Sequence, residues 1–594
     1  MCGIFGTISY KGLNESLKQK TIAVLRHRGP DDEGSERFDL KSGATLDLLH
    51  VRLSIIDLSE KAVQPMSYAD GSLWIVYNGE VFNYRELRGE LKTKGYEFET
   101  TSDTEVVLAA YQEWGTSCSE HFNGDWAFCI YDRANELLFF SRDRLGVKPL
   151  YYFQNGGELA FASELKALFN LPLVPRVFDI DVVATFILLG ICDFSEFTMY
   201  KNIYQLEPAT NMIYNLRSGT LEKRKYWEPD FDRSQGEYDP RMEKSYRGNI
   251  RDLLEDAVRL RLRADVAVGT CLSGGIDSST IAALISGLVK KQCSDAGSVG
   301  AIQKTFTAAY RGDALDEERW ARIIIAFTGA QGSFVYPQAA DLEQDLEDLL
   351  GSHDEPVIST SSYAHFRVLQ LAANQVTVVL DGQGADELFG GYSWHRELYC
   401  PPVYNPKTML RILKRNVFAG LPGVLKKAAF AMAYRKKLAL LEQIADNRIN
   451  LDYVAGVLEK KHPASLNQAL YQEETRYNLR QLLRYEDINS MRFGIEARMP
   501  FTDYRLVEYA FTVPACYKIH NGWTKYILRK AIEDLLPHDI VWRRDKIGFH
   551  TPEKKWLSQI NSFREFLCNF GVTNYQGEFF WWRLFNFLEL SEPS

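Results

Sequence analysis

The run VAVGTCLSGGIDSS, residues 266–279, combines a strand pattern, a glycine-rich turn and the beginning of a helix pattern. The apolar stretch 266–271 predicts a strand, and the apolar spacing over residues 278–289 predicts a helix. The turn between them contains Leu272, Ser273, Gly274, Gly275, Asp277 and Ser278. Bare backbone N–H groups at the start of a helix can bind phosphate. The turn lacks the GKS or GKT of a Walker A loop, and an ordinary glycine turn is the alternative interpretation.

Downstream of this run, strand patterns recur at residues 305–310, 332–336 and 376–380, with helix patterns between them. Strands that alternate with helices predict a parallel α/β sheet. The last of these strands ends in LDGQGADELFGG, residues 380–391, which is a second strand end with closely spaced glycines and acids. It contains Asp381, Gly382, Gln383 and Asp386.

Upstream of the run, the first third of the chain is β-rich, with a predicted hairpin that joins residues 127–131 to 137–141. Residues 216–240 are polar, charged and interrupted by proline, which predicts a linker. The 594 residues exceed one ordinary domain. We therefore predict a first domain at residues 2–215 and a second at 241–594, whose last third is mostly helical.

Cys2 is followed by a glycine, and the initiator methionine is usually removed before a small residue. Mature Cys2 then carries both a thiol and a free α-amine, whose pKa is roughly 7.7 to 8.0. Near neutral pH that amine can accept the thiol proton, so one residue supplies both nucleophile and base. A cysteine at position two is, on its own, equally compatible with no function.

Further polar elements follow Cys2 in a fixed order: a basic turn at residues 26–31, a strand with Arg52, the turn Asn78-Gly79-Glu80, and Asp103 before a helix. Each has a simpler interpretation, since Arg52 could form a surface salt bridge, Asp103 could cap a helix, and Asn-Gly is a common type I′ turn. In this order after Cys2, they closely resemble the Ntn-type glutaminases of the class II amidotransferases.

That resemblance implies a role for each residue in a glutamine site around Cys2. Arg52 would bind the α-carboxylate of glutamine, as a guanidinium fork does well. Asp103 would hold the substrate ammonium, and Glu80 would hold the same group or support Asp103. Asn78 and Gly79 would form the oxyanion hole, with one amide side chain and one backbone N–H.

The turn after residue 271 resembles the SGGxDS pyrophosphate loop of enzymes that form an adenylate from ATP. The resemblance implies that Ser273 lies near the ATP phosphates and that Asp277 lies near a bridging Mg²⁺, with Asp386 as the second metal ligand. Lys525 matches a lysine that contacts ATP phosphates, although a lone lysine on a helix is usually solvated. Residues 496–503 resemble a segment near the same active site.

Together these features resemble the glutamine-hydrolysing asparagine synthetase family over nearly the whole chain. The implied fold is an Ntn αββα sandwich followed by an adenine-nucleotide α-hydrolase-like parallel α/β domain with helical additions. The implied substrates are glutamine, ATP and a carboxylate, with aspartate as the first choice, and the implied cofactor is Mg²⁺. Ammonia from Cys2 would pass through a tunnel and attack an acyl-adenylate, releasing AMP and pyrophosphate. We also expect a homodimer.

Gln383 departs from this family, whose asparagine makers commonly carry a glutamate between the two glycines. That acid is thought to handle the ammonia proton, and a neutral amide cannot act as a general base. Asp381 is an acid where the family often has serine. Either Asp381 partly replaces the missing acid, or the acceptor is a different carboxylate, such as a sugar acid, a peptide or a natural-product acid.

Residues 401–441 form a second departure, a predicted basic helical insertion without a single acid. Its basic residues are Lys407, Arg411, Lys414, Arg415, Lys426, Lys427, Arg435, Lys436 and Lys437. A pair of solvated amphipathic helices, broken at residues 421–423, is the favoured interpretation. Contact with an anionic substrate or a membrane surface is the alternative.

The amino-acid composition disfavours several classes of protein. The formal net charge of −9 disfavours nucleic acid as a partner. Nine scattered cysteines without a CxxC pair predict neither a zinc site nor a disulfide framework, and a reducing cytoplasm fits best. We expect no signal peptide and no membrane span. A catalytically silent binding protein on this fold is the remaining alternative, and the presence of Cys2, Arg52, Asp103 and Asp277 argues against it.

Overall fold

The computed structural model describes residues 2–232, 236–399, 423–460, 463, 465–544 and 550–591. The first part of the chain forms two antiparallel sheets. Their strands are β1 (Cys2–Ser9), β2 (Asp32–Asp39), β3 (Thr45–Arg52), β4 (Met66–Tyr68), β5 (Leu73–Val81), β6 (Gly124–Asp132), β7 (Leu137–Arg142), β8 (Tyr151–Asn155), β9 (Glu158–Ala162), β10 (Ile203–Gln205), β11 (Thr210–Asn215) and β12 (Leu221–Lys225).

The two six-stranded sheets have the strand orders β10-β8-β9-β1-β3-β2 and β12-β11-β7-β6-β5-β4. Side chains alternate across each strand, so β1 turns Ile4 toward the second sheet and Phe5 toward the helices outside. In the same way β5 turns Val76 inward and Ile75 outward. A closed apolar core therefore lies between the sheets.

Helices cover the outer face of each sheet. Helices α1 (Glu15–Leu25), α4 (Leu165–Leu168) and α5 (Ile180–Leu189) pack on the sheet that contains β1. Helices α2 (Tyr84–Thr93) and α3 (Asp103–Trp114) pack on the sheet that contains β5. This arrangement is the predicted αββα sandwich, which is confirmed.

The predicted linker at residues 216–240 is wrong over its first part. Strand β12 pairs with β11, from Thr210 opposite Lys225 to Tyr214 opposite Leu221, so it belongs to the first domain. Its sequence, LEKRK, is polar because β12 is an exposed edge strand, and lysine and arginine are common on such edges. The polar composition therefore predicted a linker where a strand forms.

The second domain is built on a five-stranded parallel sheet with the order β15-β14-β13-β16-β17. Its strands are β13 (Val268–Cys271), β14 (Lys304–Ala308), β15 (Gln331–Val335), β16 (Val378–Leu380) and β17 (Glu496–Arg498). The chain runs from β13 outward to β14 and β15, then returns to the other side of β13 with β16. The strand order therefore reverses between β13 and β16, and ligands of open α/β sheets bind at the carboxyl ends of strands at such a point.

The remaining elements of the described chain are helical. They are α6 (Pro240–Leu260), α7 (Ile276–Lys290), α8 (Glu318–Thr328), α9 (Ala339–His353), α10 (Ser361–Ala373), α11 (Ala385–Phe389), α12 (Ser393–Tyr399), α13 (Gly423–Ala445), α14 (Leu451–Lys460), α15 (Leu466–Thr475), α16 (Asn478–Met491), α17 (Tyr504–Thr512), α18 (Ala515–Lys518), α19 (Tyr526–Ala531), α20 (His538–Val541), α21 (Glu553–Leu557), α22 (Asn561–Asn569) and α23 (Phe579–Ser591). Short 3₁₀ turns lie at Glu60–Ala62, Gly115–His121, Ser294–Val299 and Pro500–Thr502.

The predicted basic insertion at residues 401–441 lies outside the described residues up to residue 422. Its second half is helix α13, which buries Phe430, Leu438 and Leu441 in the core that also contains α5. Arg435 and Lys436 are exposed on this helix. Within the described ranges, no helix combines the length and the apolar character needed to cross a membrane.

The two domains share one apolar core, which contains side chains of α3 and β5 together with side chains of α6, α7 and β13. Helix α16 runs through this region and is buried along nearly its whole length. The domains therefore meet over a continuous interior, and residues of one can reach the site of the other.

Candidate active sites

Cys2 begins β1 and lies directly opposite Arg52 of β3 in the antiparallel register. Its side chain is buried, and its backbone nitrogen donates to Oδ1 of Asn78 over 3.0 Å. Burial raises the pKa of the Cys2 thiol. A thiol that stays protonated near neutral pH needs a base, and the α-amine of a mature Cys2 would supply one.

Asn78 and Gly79 lie near the end of β5. Asn78 is fully buried, and its Nδ2 has no hydrogen-bond partner among the described residues. Gly79 has φ +148°, and a Cβ there would lie 2.1 Å from the carbonyl oxygen of Asp125. Only glycine fits this position. An unpaired buried amide donor beside Cys2 is what an oxyanion hole requires.

Arg52 and Asp103 are both buried. The guanidinium of Arg52 donates to the backbone carbonyls of Ser59, over 2.9 Å, and of Asp57. These neutral partners orient the guanidinium and leave its charge available to a carboxylate. Oδ2 of Asp103 accepts from Tyr77 and from the backbone N–H of Val81, at 2.9 and 3.0 Å.

Glu80 has a different partner from the one expected. Its carboxylate is buried and pairs with Arg498 of the second domain, which also pairs with Glu496. Burial and the nearby charge of Glu496 raise the pKa of Glu80 well above its usual range. Although burial opposes it, the charge of Arg498 lowers the pKa of Glu496 to about 2. Glu80 therefore links the two domains instead of standing free to bind a ligand.

The glycine-rich turn joins β13 to α7 at the point where the strand order reverses. Oγ of Ser278 accepts from the backbone N–H of Ser273 over 3.2 Å, and the two hydroxyls lie 3.1 Å apart. Gly274 has φ +74°, and a Cβ there would lie 2.5 Å from the nitrogen of Ala321. Leu272 is fixed by its N–H bond to the carbonyl of Phe306. The turn has the compact shape of a phosphate-binding loop, and Gly275 precedes the helix N-terminus.

Asp277 and Asp386 meet at Lys525. Nζ of Lys525 lies 2.7 Å from Oδ1 of Asp277 and 2.6 Å from Oδ1 of Asp386. Lys525 is buried and has φ +51°, a strained conformation for a lysine that is found mostly at functional sites. The sequence motifs that contain these three residues lie far apart in the chain and are brought together here. Two converging carboxylates fit the oxygen ligands that Mg²⁺ prefers.

Gly382 and Gln383 follow β16 and approach the first loop closely. A Cβ at Gly382 would lie 3.0 Å from Cβ of Asp277 and 3.1 Å from the nitrogen of Ser278. Gln383 is half-buried beside them. The two strand ends recognised in the sequence therefore form one site.

Asp381 is half-buried and belongs to a polar cluster that the sequence does not predict. Its carboxyl oxygen, Sγ of Cys271 and a ring nitrogen of His365 all lie within 4.8 Å of one another. Nε2 of His365 lies 3.2 Å from Oε1 of Glu486. Burial and the charge of Glu486 raise the pKa of Asp381 to about 7. A carboxyl group with this pKa can accept a proton near neutral pH.

Cys271, His365 and Asp381 of this cluster line an open pocket with a volume of about 580 Å³, solvent at its mouth included. Ser273 and Ser278 of the glycine-rich turn and Phe306 and Tyr310 form other parts of the wall. His365 and Glu486 come from α10 and α16, and no local motif marks them. Only the parallel topology brings these two helices to the ends of β13 and β16.

A buried chain of charges connects the two sites. Nε of Arg28 donates to the carbonyl of Cys2 over 3.0 Å, Nη1 pairs with Glu164, and Nη2 lies 2.9 Å from Asp487 of α16. Arg498 spans the same interface, because its guanidinium contacts Glu80 while its backbone carbonyl accepts from Asp381 over 2.9 Å. The sequence shows Arg28 only as part of a basic turn.

Comparison with known proteins matches two parts of the chain to two sequence families. The sequence model of the asparagine synthase family matches residues 249–571, and that of the glutamine amidotransferase domain matches residues 1–227. The glutamine-hydrolyzing asparagine synthetases 1 and 3 of Bacillus subtilis are 30% and 31% identical to this chain. These alignments cover 96% and 95% of this chain, and 89% and 91% of the respective relatives. Amidase chyE of Penicillium rubens is 28% identical over 94% of this chain and 89% of its own length.

Proposed function

This chain belongs to the asparagine synthase family of glutamine-hydrolysing carbon–nitrogen ligases, and from that premise we propose that it amidates a carboxylate with ammonia released at Cys2. The first candidate acceptor is aspartate, which would give asparagine. The observation that carries the proposal is the link through Arg498, whose guanidinium pairs with Glu80 beside Asn78 and Gly79 and whose backbone carbonyl accepts from the N–H of Asp381.

The glutaminase half of the reaction uses residues that converge on Cys2. The thiol gives its proton to the α-amine of the mature N-terminus, and the thiolate attacks the side-chain carbonyl carbon of glutamine. The N–H groups of Asn78 and Gly79 stabilise the oxyanion of the tetrahedral intermediate. Ammonia leaves with the returned proton, and water then hydrolyses the thioester to release glutamate.

The synthetase half activates the acceptor, because a carboxylate is a poor electrophile. A carboxylate oxygen attacks the α-phosphorus of ATP, pyrophosphate leaves, and an acyl-adenylate forms. The turn around Ser273 and the charge of Lys525 would bind the phosphates. Asp277 and Asp386 would hold Mg²⁺, which neutralises phosphate charge when it is bound. Ammonia attacks the acyl carbon, Asp381 accepts the proton, and AMP leaves.

We infer that ammonia passes between the two sites along a closed path. Free ammonia in water is mostly protonated, and the protonated form is not a nucleophile. Production of ammonia beside a buried interface keeps it neutral and near its target. The shared apolar core and the buried position of α16 support such a path.

A different carboxylate is the second candidate acceptor. Gln383 stands where the family's asparagine makers commonly have an acid, and a relative named as an amidase matches nearly the whole chain. The chemistry at Cys2 and at the ATP site would be the same, and only the acceptor would change.

Pyrophosphate release from ATP and glutamine, measured across a panel of carboxylates, tests the acceptor. With aspartate as the acceptor, we expect equimolar pyrophosphate, AMP, glutamate and asparagine. A sugar acid or a peptide that supports release while aspartate does not would favour the second candidate. No release with any member of the panel, with intact glutaminase activity, would contradict the proposed use of ATP.

Replacement of Arg52 tests the proposed glutamine site. In Arg52→Gln we expect KM for glutamine to rise about 30-fold to 150-fold, because a charge-assisted pair with the substrate carboxylate is lost. Ammonia-dependent synthesis is expected to stay unchanged. Arg37→Gln is the matched control, since Arg37 is a half-exposed arginine on the neighbouring strand that pairs with Asp47. An unchanged KM in Arg52→Gln would remove Arg52 from the site.

A further inference from the structure

A second cavity lies at the interface between the two domains, away from both proposed sites. Its empty volume is about 310 Å³, but its walls leave room for only about one water-sized particle. Arg142, Asp193 and Gln205 of the first domain and Arg480 and Arg484 of α16 lie on its walls. Three buried arginines around so small a space are unusual, since a buried charge normally has a partner.

Arg142 has only neutral partners. Its guanidinium donates to the backbone carbonyls of Lys148 and Gly146 at 2.8 and 2.9 Å, to that of Leu206, and to Oε1 of Gln205 at 3.2 Å. Burial lowers the pKa of Arg142. These contacts satisfy its N–H groups but do not balance its charge.

Arg480 is less well paired. Its side chain is 5% exposed, and the carboxylate nearest to it is that of Glu207, 3.8 Å away and half-exposed. Nη2 of Arg480 is buried and has no hydrogen-bond partner among the described residues. Burial and the positive charge of Arg142 lower the pKa of Arg480 to about 10.

The third arginine, Arg484, contacts two buried carboxylates. Arg484 lies 2.9 Å from Asp193 and 2.9 Å from Glu355, so one guanidinium is shared by two buried acids. Among the described residues, neither Arg142 nor Arg480 has a buried carboxylate within ion-pair distance. A buried guanidinium N–H without an acceptor is costly, and an anion between the two guanidinium groups would supply that acceptor.

We propose that the cavity between Arg142 and Arg480 binds a small anion of halide size. The limited room excludes phosphate, sulfate and organic carboxylates, and a halide ion is only slightly larger than a water molecule. This site is independent of the proposed function, because neither guanidinium takes part in the chemistry at Cys2 or at the ATP site.

The anion would hold α16 against the first domain. Arg480 and Arg484 lie on this helix together with Asp487, whose carboxylate pairs with Arg28 beside Cys2. An anion that joins Arg480 to Arg142 therefore supports the same helix that connects the two active sites. Its first measurable effect is on the stability of the docked domains.

Bromide is the probe for the first test, because its anomalous scattering distinguishes it from water. Crystals of the full chain soaked in sodium bromide are expected to show an anomalous peak between Arg142 and Arg480. The experiment uses the unaltered protein and so does not depend on the folding of a variant. A cavity that contains water but no bromide overturns the proposal.

Thermal unfolding provides the second test. At constant ionic strength, replacement of gluconate by chloride is expected to raise Tm by about 2 °C or more, because the anion binds only the folded state. Arg480→Gln is expected to abolish this difference and the bromide peak. Arg492→Gln is the matched control, since Arg492 is a partly exposed arginine just beyond α16 that pairs with Asp348. Equal Tm values of the unaltered protein in the two salts, or an unchanged bromide peak in Arg480→Gln, overturn the proposal.

Discussion

Cys2→Ala is expected to lower glutamine-dependent synthesis by at least about 10³-fold and to leave ammonia-dependent synthesis intact. The thiol is the one nucleophile in the described part of the site that lies beside both Asn78 and Arg52. The proposed ATP site is built from separate strands and loops and does not include this thiol. The measurement is product formation with glutamine and, in parallel, with ammonium salt. Cys568→Ala is the control, because Cys568 is exposed and remote from the site.

An extension of the N-terminus separates the roles of the thiol and the amine. With one alanine inserted before Cys2, the thiol is kept, but its nitrogen becomes an amide that cannot accept a proton. Since burial raises the pKa of the thiol, we expect glutaminase activity to fall nearly as far as in Cys2→Ala. Full activity in the extended chain would show that another group acts as the base. Full glutamine-dependent activity in Cys2→Ala would contradict the proposed nucleophile.

Residues that lie in contiguous motifs could be predicted from the sequence. Cys2, the Asn78-Gly79 pair in β5 and the loop from Leu272 to Ser278 each carry local signals, such as a glycine where a side chain would collide with a neighbouring strand. The same holds for the parallel sheet, because its strands are short apolar runs between helices. In these cases the residues that form the pattern in the sequence are also the residues that determine the local structure.

Other residues could not be predicted, because their roles depend on contacts between distant parts of the chain. Glu80 pairs with Arg498, and Asp381 is surrounded by Cys271, His365 and Glu486, which come from three separate elements. The sequence contains no spacing that connects these positions. Strand β12 was not predicted for another reason. It is a solvent-exposed edge strand, so its sequence lacks the alternation of apolar and polar residues that indicates a strand.

Asp381→Asn is expected to lower ammonia-dependent amide formation by about 10²-fold to 10⁴-fold, the usual contribution of a general base. The rate at a fixed concentration of free ammonia should rise as the pH passes through about 7, where the unaltered Asp381 loses its proton. Below that pH the carboxyl is protonated and cannot accept a proton from the attacking ammonia. Adenylate formation, measured as exchange of labelled pyrophosphate into ATP, should continue in the variant.

Glu486→Gln provides a sharper version of the same test. The charge of Glu486 contributes to the raised pKa of Asp381, so its removal should move the rising limb of the pH profile to lower pH. A merely structural role of Asp381 would leave the midpoint unchanged. Lys436→Gln is a control for the loss of one charge, because Lys436 is exposed on α13.

Gln383→Glu tests whether Asp381 replaces the acid that the family commonly has at position 383. Introduced alone, it would give the site two adjacent acids and should change the rate little. Introduced together with Asp381→Asn, it should restore a large part of the lost synthesis, because Gln383 lies in the loop directly after Asp381. Asp381→Asn with undiminished amide formation would contradict a role of Asp381 as proton acceptor. Restoration by Gln383→Glu would instead show that one proton acceptor at this strand end is required and that this chain supplies it two residues earlier than the family commonly does.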